Sequence, residues 1–353
     1  MDRREPMAQD FELGGRTIAP GERCQLDLPG AQLYTHTPLP MSVEVIHGKR
    51  PGPVLLVCAA IHGDELNGVE IIRRLGTRRS LQQLAGTLVL VPVVNLHGFI
   101  DQSRYLPDRR DLNRCFPGSA RGSLGSRVAH LFFESVVRHC THVIDLHTAA
   151  VHRDNLPQIR ADLSNPEIQL MAEGFAIPVV LNAGLIEHTL RAEASAIGIP
   201  VITYEAGEAL RLSEKAIVTG VRGVLNTMRA LGMLRSRGAR RAQHEPYIAQ
   251  SSRWVRAGND GLFRPLAALG ARVRIGDTLG VLNSPFAPEE EPILAPEDGI
   301  IVGQNRLPLV NEGEALFHIA SFGEPGAVAS ELVAQSHNVE QDPLYAPDHL
   351  GQA

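Results

Sequence analysis

His62-Gly63-Asp64-Glu65 sets a histidine and a carboxylate three residues apart. At a turn leaving a strand, such a pair can point into one space, and imidazole and carboxylate are both good zinc ligands. A second histidine, His147, follows the apolar stretch Val143-Ile144-Asp145-Leu146. Asp145 lies two residues before it, on the same side of an extended chain. There it reads either as a carboxylate that orients the ring or as a structural hydrogen-bond acceptor. Each piece alone is also compatible with a solvated loop or a satisfied core histidine. Together, two histidines and a glutamate are the three-protein-ligand set of a catalytic zinc, with one position left for water. Hydrolysis at such a centre needs a group that takes a proton from water and returns it to the leaving nitrogen. Glu205, in Tyr204-Glu205-Ala206-Gly207-Glu208, is the candidate, with Glu208 competing for the role. The stretch from Arg104 to Arg114 holds Asn113-Arg114, adjacent donors suited to a carboxylate. It also holds further arginines able to stabilise an oxyanion beside a metal.

Such residues need a scaffold that brings distant segments together. Val54 to Ala60 is a continuous apolar run, as expected of a strand buried on both faces, and it ends at His62. Thr87 to Val94 repeats the pattern and ends at Asn95; Thr141 to Leu146 ends at His147; Pro200 to Tyr204 ends at Glu205. Helical spacing follows or intervenes after His62, over 125–138, over 166–175 and over 213–231. Strands alternating with helices predict an α/β sheet with helices on both faces, whose sites collect beyond the carboxyl ends of the strands. Ser236 to Arg241 reads as a linker, and the short strand-like pieces beyond it read as a small all-β unit. The organisation expected is a catalytic unit over 1–240, with 1–45 as N-terminal strands or extension, a β-domain over 245–320 and a polar tail over 321–353. Asn155, Pro157 and Arg160 fall in an apparent loop after His147, where they would shape specificity.

The chain has 353 residues and a formal net charge of -5, a balance that points to neither nucleic acid nor an anionic membrane as partner. Nearly all its positive charge is arginine, the lysines being Lys49 and Lys215. The charged beginning MDRREPMAQDFELGG has no apolar core of a signal peptide. No apolar run approaches the roughly 18–20 residues that cross a bilayer. Four scattered cysteines without a CxxC pair fit a reducing compartment, so a cytoplasmic location is expected.

The ordered motifs His62-Gly63-Asp64-Glu65, Asp111-Leu112-Asn113-Arg114, Asp145-Leu146-His147-Thr148 and Glu205-Ala206-Gly207-Glu208 resemble those of the succinylglutamate desuccinylase/aspartoacylase family, itself related to zinc carboxypeptidases. The resemblance covers roughly residues 45–320. It implies an α/β fold, a zinc-carboxypeptidase-like mixed sheet flanked by helices, with a smaller C-terminal all-β domain. It implies about one zinc per chain, held by His62, Glu65 and His147. It further implies Glu205 as general base and acid, Asn113 and Arg114 as binders of the substrate carboxylate, and Arg104 as the residue that polarises the carbonyl, with Arg109 and Arg110 as its neighbours. The reaction implied is hydrolysis of the amide of an N-acyl amino acid or related small N-acylated amine. A carboxypeptidase acting on short peptides and a non-catalytic zinc-binding homologue are the alternatives. The expected partner is a small N-acylated substrate, and a homo-oligomer is left open. Gly276-Asp277 and Ala295-Pro296-Glu297-Asp298-Gly299 also resemble lipoyl and biotinyl carriers. A carrier needs a lysine and none follows Lys215, so a structural or substrate-shaping role is expected of the β-domain.

Overall fold

The computed structural model describes residues 7–32, 35–235, 246–286, 288–342 and 345. The linker expected over 236–241 lies outside these residues. Among them, the largest sheet has 13 strands. Its centre is parallel: Val201–Glu208, His142–Ala149, Arg50–Ala59 and Ala85–Val91 lie side by side in that order. Antiparallel strands flank this centre, Arg153–Ala161 beside Val201–Glu208 and Pro38–His47 beside Ala85–Val91. The expected mixed sheet flanked by helices is therefore present.

Alternation along the central strands explains why both faces are covered. Leu55, Val57 and Ala59 point into one core, while Leu56 and Cys58 point into the other. The first core is closed by the helices Asn67–Gly76, Pro166–Phe175 and Glu214–Ala230, the second by Leu124–Ser135 and Leu190–Ala196. Apolar side chains buried to this degree each stabilise the fold by roughly 1.5–3 kcal/mol. Local chemistry starts these helices where they begin. Ser123, Asn165, Thr189 and Ser213 each accept a hydrogen bond from a backbone N–H of the first turn. Tyr204 stacks on Phe175 at 5.0 Å, and its hydroxyl donates to the Ala216 carbonyl, so this buried phenol is satisfied. Among the described residues, no helix is long and apolar enough to cross a membrane.

The C-terminal β region does not stand apart from this sheet. Gly299–Asn305 pairs with Arg153–Ala161, and Ala315–Ser321 and Ser251–Arg256 continue the sheet outward. A separate four-stranded sheet packs beside them around Phe263, Leu279, Ile293 and Phe317.

Two expectations are corrected. Asn155, Pro157 and Arg160 are not in a loop; they belong to the Arg153–Ala161 strand, between Val201–Glu208 and Gly299–Asn305. Proline and alternating polar residues hide this strand, and Pro157 sits where the register shifts between Glu205 and Gly207, a bulge that tolerates a residue without an N–H. The stretch expected as a polar tail contains a helix, Pro325–Glu340, which buries Val328 and Val339. Contacts with the Glu214–Ala230 helix hold it: Lys215 donates to Ser336 at 2.8 Å, and Arg222 pairs with Asp342 just beyond its end.

Candidate active site

Three strand ends supply the chemistry. His147 lies in His142–Ala149, and Glu205 lies directly beside it in the parallel register of Val201–Glu208. Neighbouring strands are about 4.8 Å apart, and paired residues share a face, so both side chains project to one side. His62 follows the Arg50–Ala59 strand across a turn in which Ala60 takes a positive φ of 50°. Glycine is required at position 63, because a Cβ there would lie 1.9 Å from the Gly98 carbonyl carbon. That close backbone pass aims His62 and Glu65 inward together.

His62, Glu65 and His147 are all buried, and their ligand atoms lie within 4.8 Å of one another, so they could hold a metal ion. Glu65 is 1% exposed. Its Oε1 is 2.8 Å from His62 Nδ1 and its Oε2 is 2.8 Å from His147 Nδ1. Oε2 also accepts from the Thr148 N–H. The far nitrogens of both rings meet carboxylates. His62 Nε2 lies 3.1 Å from Asp111 Oδ1, and His147 Nε2 lies 2.7 Å from Asp145 Oδ2. A carboxylate on Nε2 leaves the Nδ1 lone pair for a metal, the usual outer arrangement of metal-binding histidines.

The electrostatics also fit a divalent cation. Glu65, Asp111 and Asp145 bring three negative charges into a small volume, where Arg104 brings one positive charge. Burial would raise the Glu65 carboxyl, but the adjacent His62 and His147 outweigh it and hold it well below the usual carboxylate range. Asp111 behaves alike: burial raises it, and bonds to His62 and Arg104 carry it well below. Burial lowers His147, yet Asp145 and Glu65 raise it well above a free imidazole. Asp145→Asn is expected to weaken metal binding about 10–100-fold. A chelator competition titration measures this directly, and unchanged affinity would deny Asp145 its orienting role.

A cavity of about 570 Å³ opens over this cluster, within the range of small-molecule sites. Arg104, Asn113, Arg114 and Glu205 all line it. Arg104 donates to Glu65 Oε1 at 3.2 Å and to Asp111 Oδ2 at 2.9 Å. Its neighbours Arg109 and Arg110 do not line the cavity, and Arg110 faces Asp108 instead. Asn113 Oδ1 accepts from the Leu190 N–H at the start of a helix, and Arg114 donates to the Asn113 carbonyl. Glu205 is held by Asn155, whose Nδ2 donates to Oε2 at 2.8 Å, and by Arg160, 3.0 Å from Oε1. Glu208 instead accepts from the His152 N–H outside the cavity. Asn95, grouped in the sequence with the strand-end residues, is structural: it accepts from Gly98 N–H and donates to the Ile61 carbonyl.

The region 51–231, just over half of the chain, matches the model of the succinylglutamate desuccinylase/aspartoacylase catalytic domain. The chain belongs to this family. Among curated relatives, the N-alpha-acetyl-L-2,4-diaminobutyric acid deacetylase of Halomonas elongata is 27% identical over 77% of this chain and 83% of its own length. A succinylglutamate desuccinylase of Pseudomonas aeruginosa is 32% identical over 40% of this chain, which spans only 44% of that relative's length. Two solved structures share the fold: a succinylglutamate desuccinylase/aspartoacylase from Rhodobacter sphaeroides, TM-score 0.77, 23% identity, 90% and 98% covered; and the product-bound ectoine utilization protein EutE (DoeB) from Ruegeria pomeroyi, TM-score 0.76, 22% identity, 90% and 100% covered.

For this family member, several cavity residues escape a motif reading. Asp111 is part of a quoted motif, but nothing local reveals its contact with His62, 49 positions away. Arg153, Arg191 and Trp254 also line the cavity. Arginines are common in this chain and no motif singles these two out; Trp254, its only tryptophan, is marked by composition alone.

Proposed function

We propose that this chain is a zinc-dependent amidohydrolase that removes an acyl group from the nitrogen of an amino-acid-like substrate. The observation that carries the reading is the meeting of His62, Glu65 and His147 beside Glu205 at the floor of an arginine-lined cavity. Family membership supports it, as do relatives named for deacetylation and desuccinylation of amino acids.

His62, Glu65 and His147 would hold the metal, two nitrogens and a carboxylate suiting zinc. Zinc bound there supplies Lewis-acid chemistry, lowering the pKa of water and drawing charge from an amide oxygen. Glu205 takes the proton as water adds to the amide carbon, and returns it to the nitrogen as the C–N bond breaks. The products are a carboxylate and a free amine. Arg104 faces the negative charge that develops on the carbonyl oxygen. Asn113 and Arg114 hold the substrate carboxylate, which converts binding into orientation. The clamp of Asn155 and Arg160 keeps the Glu205 carboxylate in place between its two proton transfers.

The test is metal content together with release of amine from N-acetyl and N-succinyl amino acids, with and without chelator. About one zinc per chain and chelator-sensitive release are expected. Zinc without hydrolysis of any acyl amino acid or short peptide would overturn the reading.

Zinc binding should also depend on pH in a definite direction. In the metal-free protein both imidazoles are raised, His147 most, by carboxylates that overcome burial. A raised folded pKa means that this stability is complete below the unfolded histidine pKa of about 6.5 and disappears as pH rises through the folded values. Zinc needs both rings unprotonated. The rise in melting temperature on adding zinc is therefore expected to be larger at pH 8 than at pH 6, as thermal melts at the two pH values would register. An equal rise at both would contradict the ligand assignment.

A further inference from the structure

Gly303 lies inside the Gly299–Asn305 strand, buried, with a φ outside the left-handed region that favours glycine. Its backbone does not ask for glycine, and glycine weakens a strand interior. What excludes a side chain is the company on its face. A Cβ there would fall 2.9 Å from Asn155 Oδ1, 3.1 Å from His318 Cβ and 3.4 Å from Trp254 Cη2. Asn155 is the residue whose Nδ2 donates to Glu205 Oε2 at 2.8 Å.

Two register shifts assemble this group. Between Arg153–Ala161 and Val201–Glu208, Gln158 pairs with Glu205, yet Asn155 pairs with Gly207. An unbroken ladder would set Leu156 opposite Gly207; Leu156 is instead buried in an apolar cluster. The extra residue is a bulge, and bulges beside active sites re-aim side chains. Here the one re-aimed is Asn155, whose amide reaches Glu205. Between Gly299–Asn305 and Ala315–Ser321, Ile301 pairs with Ile319 and Gly303 with His318. Without that shift Gly303 would face Phe317. Gly303 in turn pairs with Asn155, and His318 with Trp254. One row thus runs from Trp254 through His318 and Gly303 to Asn155.

The far side of the row is held in place. His318 is 3% exposed and stacks on Trp254 at 4.7 Å with planes 8° apart. The Arg153 guanidinium carbon lies over the Trp254 ring, 5.5 Å from its centroid. Burial and the Arg160 charge push His318 down to about 4, so at neutral pH it adds no second cation beside the Arg160 that faces Glu205. A methyl group at position 303 would therefore displace the Asn155 amide, the end of a short rotatable side chain. The displacement is roughly 0.5–1 Å, the shortfall from an ordinary contact. A short hydrogen bond does not keep its geometry through such a shift.

We propose that Gly303 is a positioning residue for the general base: by setting no side chain against Asn155, it lets the Asn155 amide hold the Glu205 carboxylate where protons are exchanged with water and the leaving nitrogen. This rests on the deacylase reading for the proton transfers, but not for the placement of Asn155. The C-terminal strands then take part in the reaction through the base.

The test uses the full chain and the variants Gly303→Ala, Asn155→Ala and the two combined, with two readouts. The first is kinetic, on zinc-loaded protein, with the N-acetyl or N-succinyl amino acid that the parent cleaves fastest. Gly303→Ala is expected to lower kcat about ten-fold, in keeping with a sub-ångström misplacement. KM should stay within about two-fold and metal content at about one ion per chain. In the Asn155→Ala background the same substitution should change kcat by less than about two-fold, because the side chain it displaces is gone. A general loosening of the strand would lower kcat equally in both backgrounds; that result, or an unchanged kcat in Gly303→Ala, overturns the proposal. The second readout is calorimetric melting of the metal-free protein. Gly303→Ala should lower the melting temperature of the parent more than that of Asn155→Ala, and equal lowering overturns the placement of Asn155 without reference to turnover. A Gly303→Ala chain that folds only when combined with Asn155→Ala supports the placement, and one that folds in neither background sinks it. If the parent cleaves no acyl amino acid while the melts are coupled, the deacylase reading falls and the placement stands; turnover with uncoupled melts does the reverse.

Discussion

Glu205→Gln is expected to lower kcat by about 10²–10⁴-fold, the usual contribution of a positioned acid–base group, while metal content stays at about one ion per chain. Glutamine matches glutamate in size and keeps an oxygen for Asn155, so the cavity wall should survive. What it cannot do is accept the water proton or deliver one to the leaving nitrogen. Arg160 loses a charged partner, but it is partly solvated and has room to readjust. The loss should therefore fall on kcat far more than on KM. Steady-state kinetics and metal analysis on one preparation decide the point. Near-parental turnover with zinc retained would remove Glu205 from the mechanism and reopen the competition with Glu208.

His147→Ala should abolish metal retention and turnover together. Two candidate ligands remain, and the removed ring is buried between the Glu65 and Asp145 carboxylates. Asp145 is left buried, with the Cys58 thiol at 3.5 Å as a weak donor, and Glu65 loses one of its histidines. Breaking a buried charge pair by removing one partner costs on the order of 3–5 kcal/mol. The metal-free variant should therefore melt below the metal-free parent. Zinc should raise the parent's melting temperature by mass action and leave the variant's unchanged. Calorimetric melts with and without zinc check both parts. A variant that still gains stability from zinc, and still releases amine, would mean that the metal is held elsewhere.

Much of the site was open to reading because it is written locally. Gly63 and the strand-to-helix turn bring His62 and Glu65 together within four residues, and strand parity sets Asp145 beside His147. The parallel central strands announce themselves as apolar runs because both faces are buried. Resemblance to the family added expected roles for Arg104, Asn113 and Arg114 that residue type alone left open.

Other features depended on pairings that no local pattern carries. The Arg153–Ala161 strand has a proline and few apolar residues; it is a strand because neighbours on both sides offer it hydrogen bonds. The Pro325–Glu340 helix has a thin apolar stripe and gains its place by packing on a helix more than 100 residues earlier.

The sequence by itself therefore determined which residues are the candidate ligands, the strand ends that carry them and the family. Tertiary structure alone decided that Asp111 reaches His62, that Asn155 and Arg160 meet Glu205, and that the Arg153 guanidinium lies over the Trp254 ring. Side-chain periodicity encodes which face a residue takes, but the register between strands a hundred residues apart is set only when their backbones pair and their faces are buried together.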